Sequence, residues 1–358
     1  MRPDLLEEGD FPVPFGRYTL LGLLGEGGMA RVFEAELQGA RGFRKRSAVK
    51  VIRAAIGVQD ARLTRALIHE ARLGGLLHHP NVVETYDFGM EADQAWIAME
   101  FVEGACLSQL LDRDEPLPPP VALEVAAQIC AGLDHAHTLT VDGHPAPLVH
   151  RDLKPSNVMV ANSGLLKVLD FGIAKATHIG GNTTETGLTK GTPAYMSPEQ
   201  AAGQEVDARS DLFAVGCLLY EMLTGKRFFS GDTVYAIMMN VVRVEDLLKE
   251  IERLDMVEAA APGASVVIRR CMRADREHRY ASASELERAI RSLQGPVQAP
   301  GPIKNWVDAC RAAMDPRFET QRIKKVASTV RQLAGGDSED DLSLEVEPAA
   351  ARAGLSHG

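Results

Sequence analysis

Between Tyr18 and Met99 the chain alternates short apolar, β-branched runs with turns: YTLLGLLG, ARVFEAEL, RSAVKVI, VVETYDF and AWIAMEF. Runs of this length, bounded by glycine and charged residues, predict strands. One helical period interrupts them, from about Ala61 to Leu77. Beyond Pro120 the apolar positions recur at helical spacing instead. Helices are expected over Val121–His137, Ser210–Leu223, Asp232–Glu252 and Ser265–Met272, with short strands at Val158–Val160 and Leu166–Leu169. The expected fold class is α+β and bilobal: a small antiparallel β lobe with one helix, then a larger, mainly helical lobe. A hinge is expected near Glu100–Gly104, and the cleft between two such lobes is a natural ligand site.

The ends of the chain differ from this pattern. Residues 1–16 hold three prolines and several acids and predict an irregular arm. The small lobe then covers about 17–102 and the large lobe about 103–294. The segment 295–302 (GPVQAPGP) is a linker by composition. A helical tail is expected over 303–335 and a disordered end over 336–358. In the tail, Trp306, Cys310 and Met314 form one apolar stripe, and Ile323, Val326, Val330 and Leu333 another. Three assignments compete: packing on the chain's own large lobe, docking a regulatory protein, or lying on a membrane surface. The acidic Ser338-Glu339-Asp340-Asp341 run weighs against the last.

Composition narrows the function. The 358 residues carry a formal net charge of −10, which argues against nucleic acid as the main partner. Five scattered cysteines without a Cys-x-x-Cys pair argue against a disulfide framework or a structural zinc site. The acidic start MRPDLLEEGD is unlike a signal peptide. The most apolar stretch, Leu212 to Leu223, is too short to cross a bilayer. A cytoplasmic protein without an integral membrane segment is expected.

Three clusters carry chemistry. Leu24, Gly25, Glu26, Gly27, Gly28 and Ala30 join one strand to the next, where glycines let backbone N–H groups approach phosphate oxygens. A following strand disfavours a dinucleotide-binding turn, and no Gly-Lys-Ser/Thr is present for a Walker loop. Lys50 ends an apolar strand, a place where lysine often only solubilises a sheet edge. Glu70, on the inward stripe of its helix with Leu63 and Leu67, offers it a counter-charge. The third cluster is the most specific. In His150-Arg151-Asp152-Leu153-Lys154-Pro155-Ser156-Asn157, an acid precedes an amide by five residues and Asp170 of Asp170-Phe171-Gly172 by eighteen. That set suits phosphoryl transfer: one carboxylate takes a hydroxyl proton while an amide and a second carboxylate hold Mg²⁺.

On these motifs the sequence resembles the eukaryotic-type (Hanks-type) Ser/Thr protein kinases, and their bacterial subgroup most closely, from about Tyr18 to Leu293. The resemblance implies the bilobal protein-kinase fold with ATP and Mg²⁺, or Mn²⁺, as cofactors. It implies that Gly25, Gly27 and Ala30 hold the phosphate loop, Ala30 standing where the family has a third glycine. It further implies that Val32, Ala48 and Met159 sandwich adenine, with Leu24 beside them, Met99 as gatekeeper, and Glu100 and Val102 as hinge backbone groups. Lys50 would bind phosphates, oriented by Glu70; Asp152 would be the base, Lys154 would steady the γ-phosphate, and Asn157 and Asp170 would ligate metal. Lys154 and Thr192 look like Ser/Thr rather than Tyr kinases. Glu199 would pair with Arg279, and Asp211 would prop the catalytic loop. Arg151 and Lys175 would anchor a phosphorylated residue, for which Thr184 and Thr186 are the leading candidates and Thr183 and Thr189 weaker ones. Protein substrates bearing Ser or Thr are implied, and a homodimer is compatible. The competing function is a kinase-fold scaffold acting through its tail; a small-molecule phosphotransferase is disfavoured by the docking segment Gly191–Glu199.

Overall fold

The computed structural model describes residues 6–27, 30–52, 72–91, 94–111, 115–171, 192–294 and 301–312. The helix expected at 61–77 falls mostly outside them, as do Glu70, Gly28 and residues 313–358.

The small lobe is a six-stranded antiparallel sheet in the order β1-β2-β3-β4-β6-β5. Its strands are β1 (Val13–Phe15), β2 (Tyr18–Glu26), β3 (Ala30–Gln38), β4 (Arg44–Ile52), β5 (Thr85–Glu91) and β6 (Gln94–Glu100). Side chains alternate between faces along each strand. Val49 and Val51 therefore enter one core with Phe15, Tyr18, Leu20, Phe33 and Trp96. Ala48 enters another, on the cleft side, with Ile97 and Met99. Lys50 shares the parity of Ala48. The arm expected to be irregular is corrected here. Val13–Phe15 pair with Tyr18–Leu20, and Leu6 is buried in the same core. Pro14 is tolerated because β1 is an edge strand, where one N–H needs no partner.

A second sheet, β11-β10-β7, underlies the cleft. It comprises β7 (Gly104–Cys106), β10 (Val158–Ala161) and β11 (Leu166–Val168). β7 carries no strand signal of its own and forms by pairing with β10. A Cβ on Gly104 would lie 2.1 Å from the Val160 carbonyl oxygen, so only glycine permits that approach. Between β7 and β10 the chain forms helix α1 (Leu107–Leu110), helix α2 (Pro119–His137) and a hairpin of β8 (Thr140–Val141) and β9 (His144–Pro145).

The large lobe continues with α3 (Pro198–Ala201) and α4 (Ala208–Thr224). Every residue of α4 from Ser210 to Thr224 is buried, so it is the lobe's central helix. The helix expected over Asp232–Glu252 is instead divided into α5 (Val234–Val242) and α6 (Val244–Leu247), before α7 (Ile251–Ala260). The β-branched Val241, Val242 and Val244 have low helix propensity, and Arg243 among them leaves helical geometry at φ −93°, ψ 22°. Helices α8 (Ala264–Cys271), α9 (Ala283–Leu293) and α10 (Pro302–Ala312) complete the lobe.

Helix α10 belongs to the large-lobe core. Ile303 and Val307 are fully buried in it, with Trp306 packed alongside. Lys304 lies against Gly164 in the β10–β11 turn, where φ is +84° and a Cβ would come within 2.8 Å of the helix. The buried stripe is therefore Ile303–Val307, one step round from the expected Trp306–Cys310. Truncating a buried isoleucine costs about 2–5 kcal/mol. Ile303→Ala is expected to lower the unfolding free energy from urea denaturation by that amount; a change below about 0.5 kcal/mol would mean that α10 is not part of the core.

Candidate active site

The catalytic-type loop lies between the β8–β9 hairpin and β10. It is held from beneath by Asp211, in the first turn of α4, whose carboxylate is 1% exposed. Asp211 Oδ2 accepts the His150 N–H at 2.8 Å and its Oδ1 the Arg151 N–H at 2.8 Å. The His137 ring, at the end of α2, supplies a third contact at 2.8 Å. Burial alone would push the Asp211 carboxyl up, but the His137 hydrogen bond, the two nearby imidazoles and the backbone N–H of His150 outweigh it. The group therefore sits below the usual carboxylate range. His150 is itself buried, with Nε2 2.8 Å from the Leu169 carbonyl oxygen, joining this loop to the chain just before Asp170.

So fixed, the loop presents its polar residues to the cleft. Lys154 Nζ donates to Asp152 Oδ2 at 2.9 Å, and Asn157 Nδ2 to the Asp152 carbonyl at 2.8 Å. Arg151 takes φ +65° and Asp170 φ +52°, the left-handed region that non-glycine residues enter at a cost. Such strain persists where surrounding contacts over-determine the backbone, as the two bonds to Asp211 do here.

The small lobe faces this loop with Lys50. β4 is paired on both sides, to β3 and β6, so Lys50 is not at a sheet edge. Its ammonium lies 2.7 Å from Asp170 Oδ1 and is mostly buried. Glu70, its expected partner, lies outside the described residues. Leu24, Val32, Val102 and Leu169 pack on Ala48, Ile97 and Met99 to make an apolar lining. Met159 lies in the floor sheet, opposite Cys106 on one side and Lys167 on the other. A Cβ on Gly25 would enter open space, and one on Gly27 would meet nothing nearer than the Ala30 carbonyl at 3.7 Å. Glu26 pairs with Arg31 across the turn. The side chain of Thr192 and residues 172–191, with Lys175 and the four candidate threonines, lie outside the described residues.

The far side of the loop is clamped by residues 197–200. Gln200 Nε2 donates to the Arg151 carbonyl at 2.7 Å. Glu199 makes a two-pronged pair with Arg279, at 2.7 and 2.8 Å, and accepts from Ser210. Arg279 is wholly enclosed and also donates to the carbonyls of Arg273 and Ala274. Burial alone would raise the Glu199 carboxyl; the Arg279 and Ser210 hydrogen bonds and the Arg279 charge hold it at about 2.

Sequence reasoning missed three groups at this site. His137 and His150 brace Asp211 and Leu169, and Lys167 reaches the hinge residue Glu100 at 2.7 Å. Only the position of His150 beside Arg151-Asp152 carried any local signal. The five cysteines are all free thiols, three of them buried, and Cys106 donates to the Ser156 carbonyl at 3.2 Å.

The family model described as "Protein kinase domain" matches residues 18–289. Serine/threonine-protein kinase PknB of Mycobacterium leprae is 36% identical over 306 residues, covering 83% of this chain and 46% of the relative. A probable serine/threonine-protein kinase of Streptomyces coelicolor is 37% identical over 276 residues, covering 76% and 39%. The chain thus spans less than half the length of these curated relatives. The solved kinase domain of Mycobacterium tuberculosis PknI, 24% identical, superposes with a TM-score of 0.57, covering 81% of this chain and 99% of that one.

The Glu199–Arg279 pair has a pH signature. The folded carboxyl sits near 2 against an ordinary 4.5, so its contribution is complete above the ordinary value and disappears as pH falls toward 2. Breaking a buried pair costs about 3–5 kcal/mol. Glu199→Gln is expected to lose that much at pH 7 and to lose less than the wild type between pH 5 and pH 3. Chemical denaturation at each pH is the measurement; parallel pH curves for the two proteins would contradict the assignment.

Proposed function

The chain belongs to the protein kinase family, and on that premise we propose that it is a serine/threonine protein kinase transferring the ATP γ-phosphoryl group to protein hydroxyls. The observation that carries the reading is the meeting of the lobes at one point. Lys50 of the small lobe touches Asp170 at 2.7 Å, beside a loop bearing Asp152, Lys154 and Asn157.

The residues present fit a nucleotide and a hard cation. The apolar lining around Ala48 and Met99 suits a flat ring. The open space at Gly25 suits phosphate oxygens, and the Asn157 and Asp170 oxygens suit Mg²⁺ or Mn²⁺. When bound, MgATP supplies the transferable phosphoryl group and the metal's positive charge. Lys50 then orients phosphates and Asp170 with Asn157 retains the metal. The Asp152 carboxylate accepts the proton of the incoming hydroxyl, and Lys154 balances charge beside it.

Regulation by autophosphorylation in trans at Thr184 or Thr186 is part of the proposal. Its support is Arg151, whose Nε is buried with no hydrogen-bond partner among the described residues. A phosphate would satisfy that donor and add a charge-assisted bond. Regulatory-protein docking is proposed for the tail beyond Ala312, because the apolar face of α10 is already covered. A homodimer rests on the resemblance alone. Among the described residues no helix is long and apolar enough to cross a membrane, which is compatible with the proposed cytoplasmic location.

Asp152→Asn removes the base while keeping the side chain's shape. It is expected to lower phosphotransfer from labelled ATP by about 10²–10⁴-fold with little change in ATP affinity. Undiminished transfer would overturn the role of Asp152, and no transfer by the wild type would favour the scaffold. After phosphatase treatment, Thr184→Ala/Thr186→Ala protein is expected to stay about tenfold or more below wild type once both are incubated with MgATP. Equal recovery would overturn the loop assignment.

A further inference from the structure

Lys167 lies in β11, and its residue is only 8% exposed. A lysine ammonium is rarely buried unless paired. Its Nζ lies 2.7 Å from Glu100 Oε2 and 3.3 Å from the Val82 carbonyl oxygen. Glu100 ends β6 of the small-lobe sheet, whereas β11 belongs to the floor sheet of the large lobe and Val82 is buried in that lobe's core beside Val168.

The surrounding backbone makes this contact a bracket. Val82 and Val168 form a parallel bridge. The Val168 N–H donates to the Asn81 carbonyl, and the Val83 N–H to the Val168 carbonyl, each at 2.9 Å. The same segment then reaches the hinge, for the Glu100 N–H donates to the Glu84 carbonyl at 2.8 Å. The Glu84 N–H also points to Glu100 Oε2, at 3.4 Å. Residue 100 is thus held at its amide and at its carboxylate, and Lys167 closes the triangle between β11, the 81–84 segment and the end of β6. One step on, the Asn162 N–H donates to the Glu103 carbonyl at 2.8 Å, tying the same β10–β11 hairpin to the chain beyond the hinge.

The register sets where this acts. Lys167 is the cross-strand partner of Met159, so both side chains stand on one face of the floor sheet. On the kinase reading, Met159 floors the adenine site and the Glu100 and Val102 backbones edge it. The lysine stem therefore flanks the floor while its charge fixes the edge.

Resting on that reading, we propose that Lys167 is a positioning residue for nucleotide binding, aiming the Glu100 peptide by holding its carboxylate. It touches neither the phosphates nor the acceptor, so its loss weakens ATP binding without slowing the chemical step. Glu100 is 28% exposed at its side chain, so without the lysine its carboxylate can turn to water. That release frees the hinge peptide rather than leaving a buried charge.

The test compares wild type, Lys167→Met, Lys167→Arg, Glu100→Gln and the double variant Lys167→Met/Glu100→Gln. Methionine keeps the stem volume and removes the charge. The readouts are KM for ATP and kcat at a saturating generic protein substrate, with Kd for ADP measured by equilibrium titration. Lys167→Met is expected to raise both KM and Kd by about 5–20-fold with kcat within about twofold, the sign of lost ground-state binding. Glu100→Gln is expected to move the same quantities the same way. The double variant is expected to be no worse than the poorer single one, because one contact is lost once. Lys167→Arg is expected to return KM to within about threefold of wild type by restoring the charge. Unchanged KM and Kd in Lys167→Met, or a fall in kcat alone, would overturn the proposal. If Lys167→Met does not fold, wild-type KM and Kd in Glu100→Gln would overturn it equally. A wild type that neither binds ADP nor transfers phosphate would instead overturn the kinase reading.

Discussion

The candidate active site depends on one buried carboxylate. Asp211 is 1% exposed, and an ionised group so enclosed is tolerable only when its lone pairs are filled. They are filled by the N–H groups of His150 and Arg151 and by the His137 ring. Two of those donors directly precede Asp152, so the electrostatic need of a core residue dictates where the proposed base stands. The left-handed backbone at Arg151 is the local cost of that arrangement. Because α4 is buried along nearly its whole length, the anchor inherits the rigidity of the large-lobe core.

Around this anchor, charge pairs join segments distant in sequence. Glu199 and Arg279, eighty residues apart, fix the 197–200 segment whose Gln200 grips the Arg151 carbonyl. Lys50 and Asp170 meet across the cleft, and Arg46 of β4 pairs with both Glu34 and Glu103 and stacks on Phe101. The exposed Arg46–Glu103 pair contributes little to stability, unlike the buried Glu199–Arg279 pair. Lys50–Asp170 and Arg46–Glu103 set the distance between β4 and the chain outside its sheet, whereas Arg46–Glu34 acts within that sheet and Glu199–Arg279 within the large lobe. Cleft shape therefore follows from a few short contacts laid over separate apolar cores.

Much of this was legible in the sequence because periodicity reports burial. The five apolar runs from Tyr18 to Met99 became β2 to β6, and the periodic stretches after Pro120 became α2, α4 and α8. What escaped was structure made by tertiary pairing rather than local preference. β1 spans three residues with a strand-disfavouring proline at its centre, and β7 is Gly-Ala-Cys, too short and too small-residue to signal a strand. The break at Arg243 has a local signal, the valines around it, but the apolar periodicity running through them masks it. The polar residues of the loop at 150–157 announced their chemistry through spacing. Lys167 did not, since its meaning depends on Glu100, sixty-seven residues earlier, and a lone lysine in a strand has no pattern. The same holds for His137, whose partner Asp211 is seventy-four residues away.

The central claim is the identity of the acceptor. Its most direct test is phosphoamino-acid analysis of wild-type protein and a generic protein substrate after incubation with γ-labelled ATP and Mg²⁺ or Mn²⁺. A serine/threonine kinase with Lys154 following Asp152 in its loop yields phosphoserine and phosphothreonine. Label on tyrosine, label on small molecules alone, or no label with either metal would contradict the assignment.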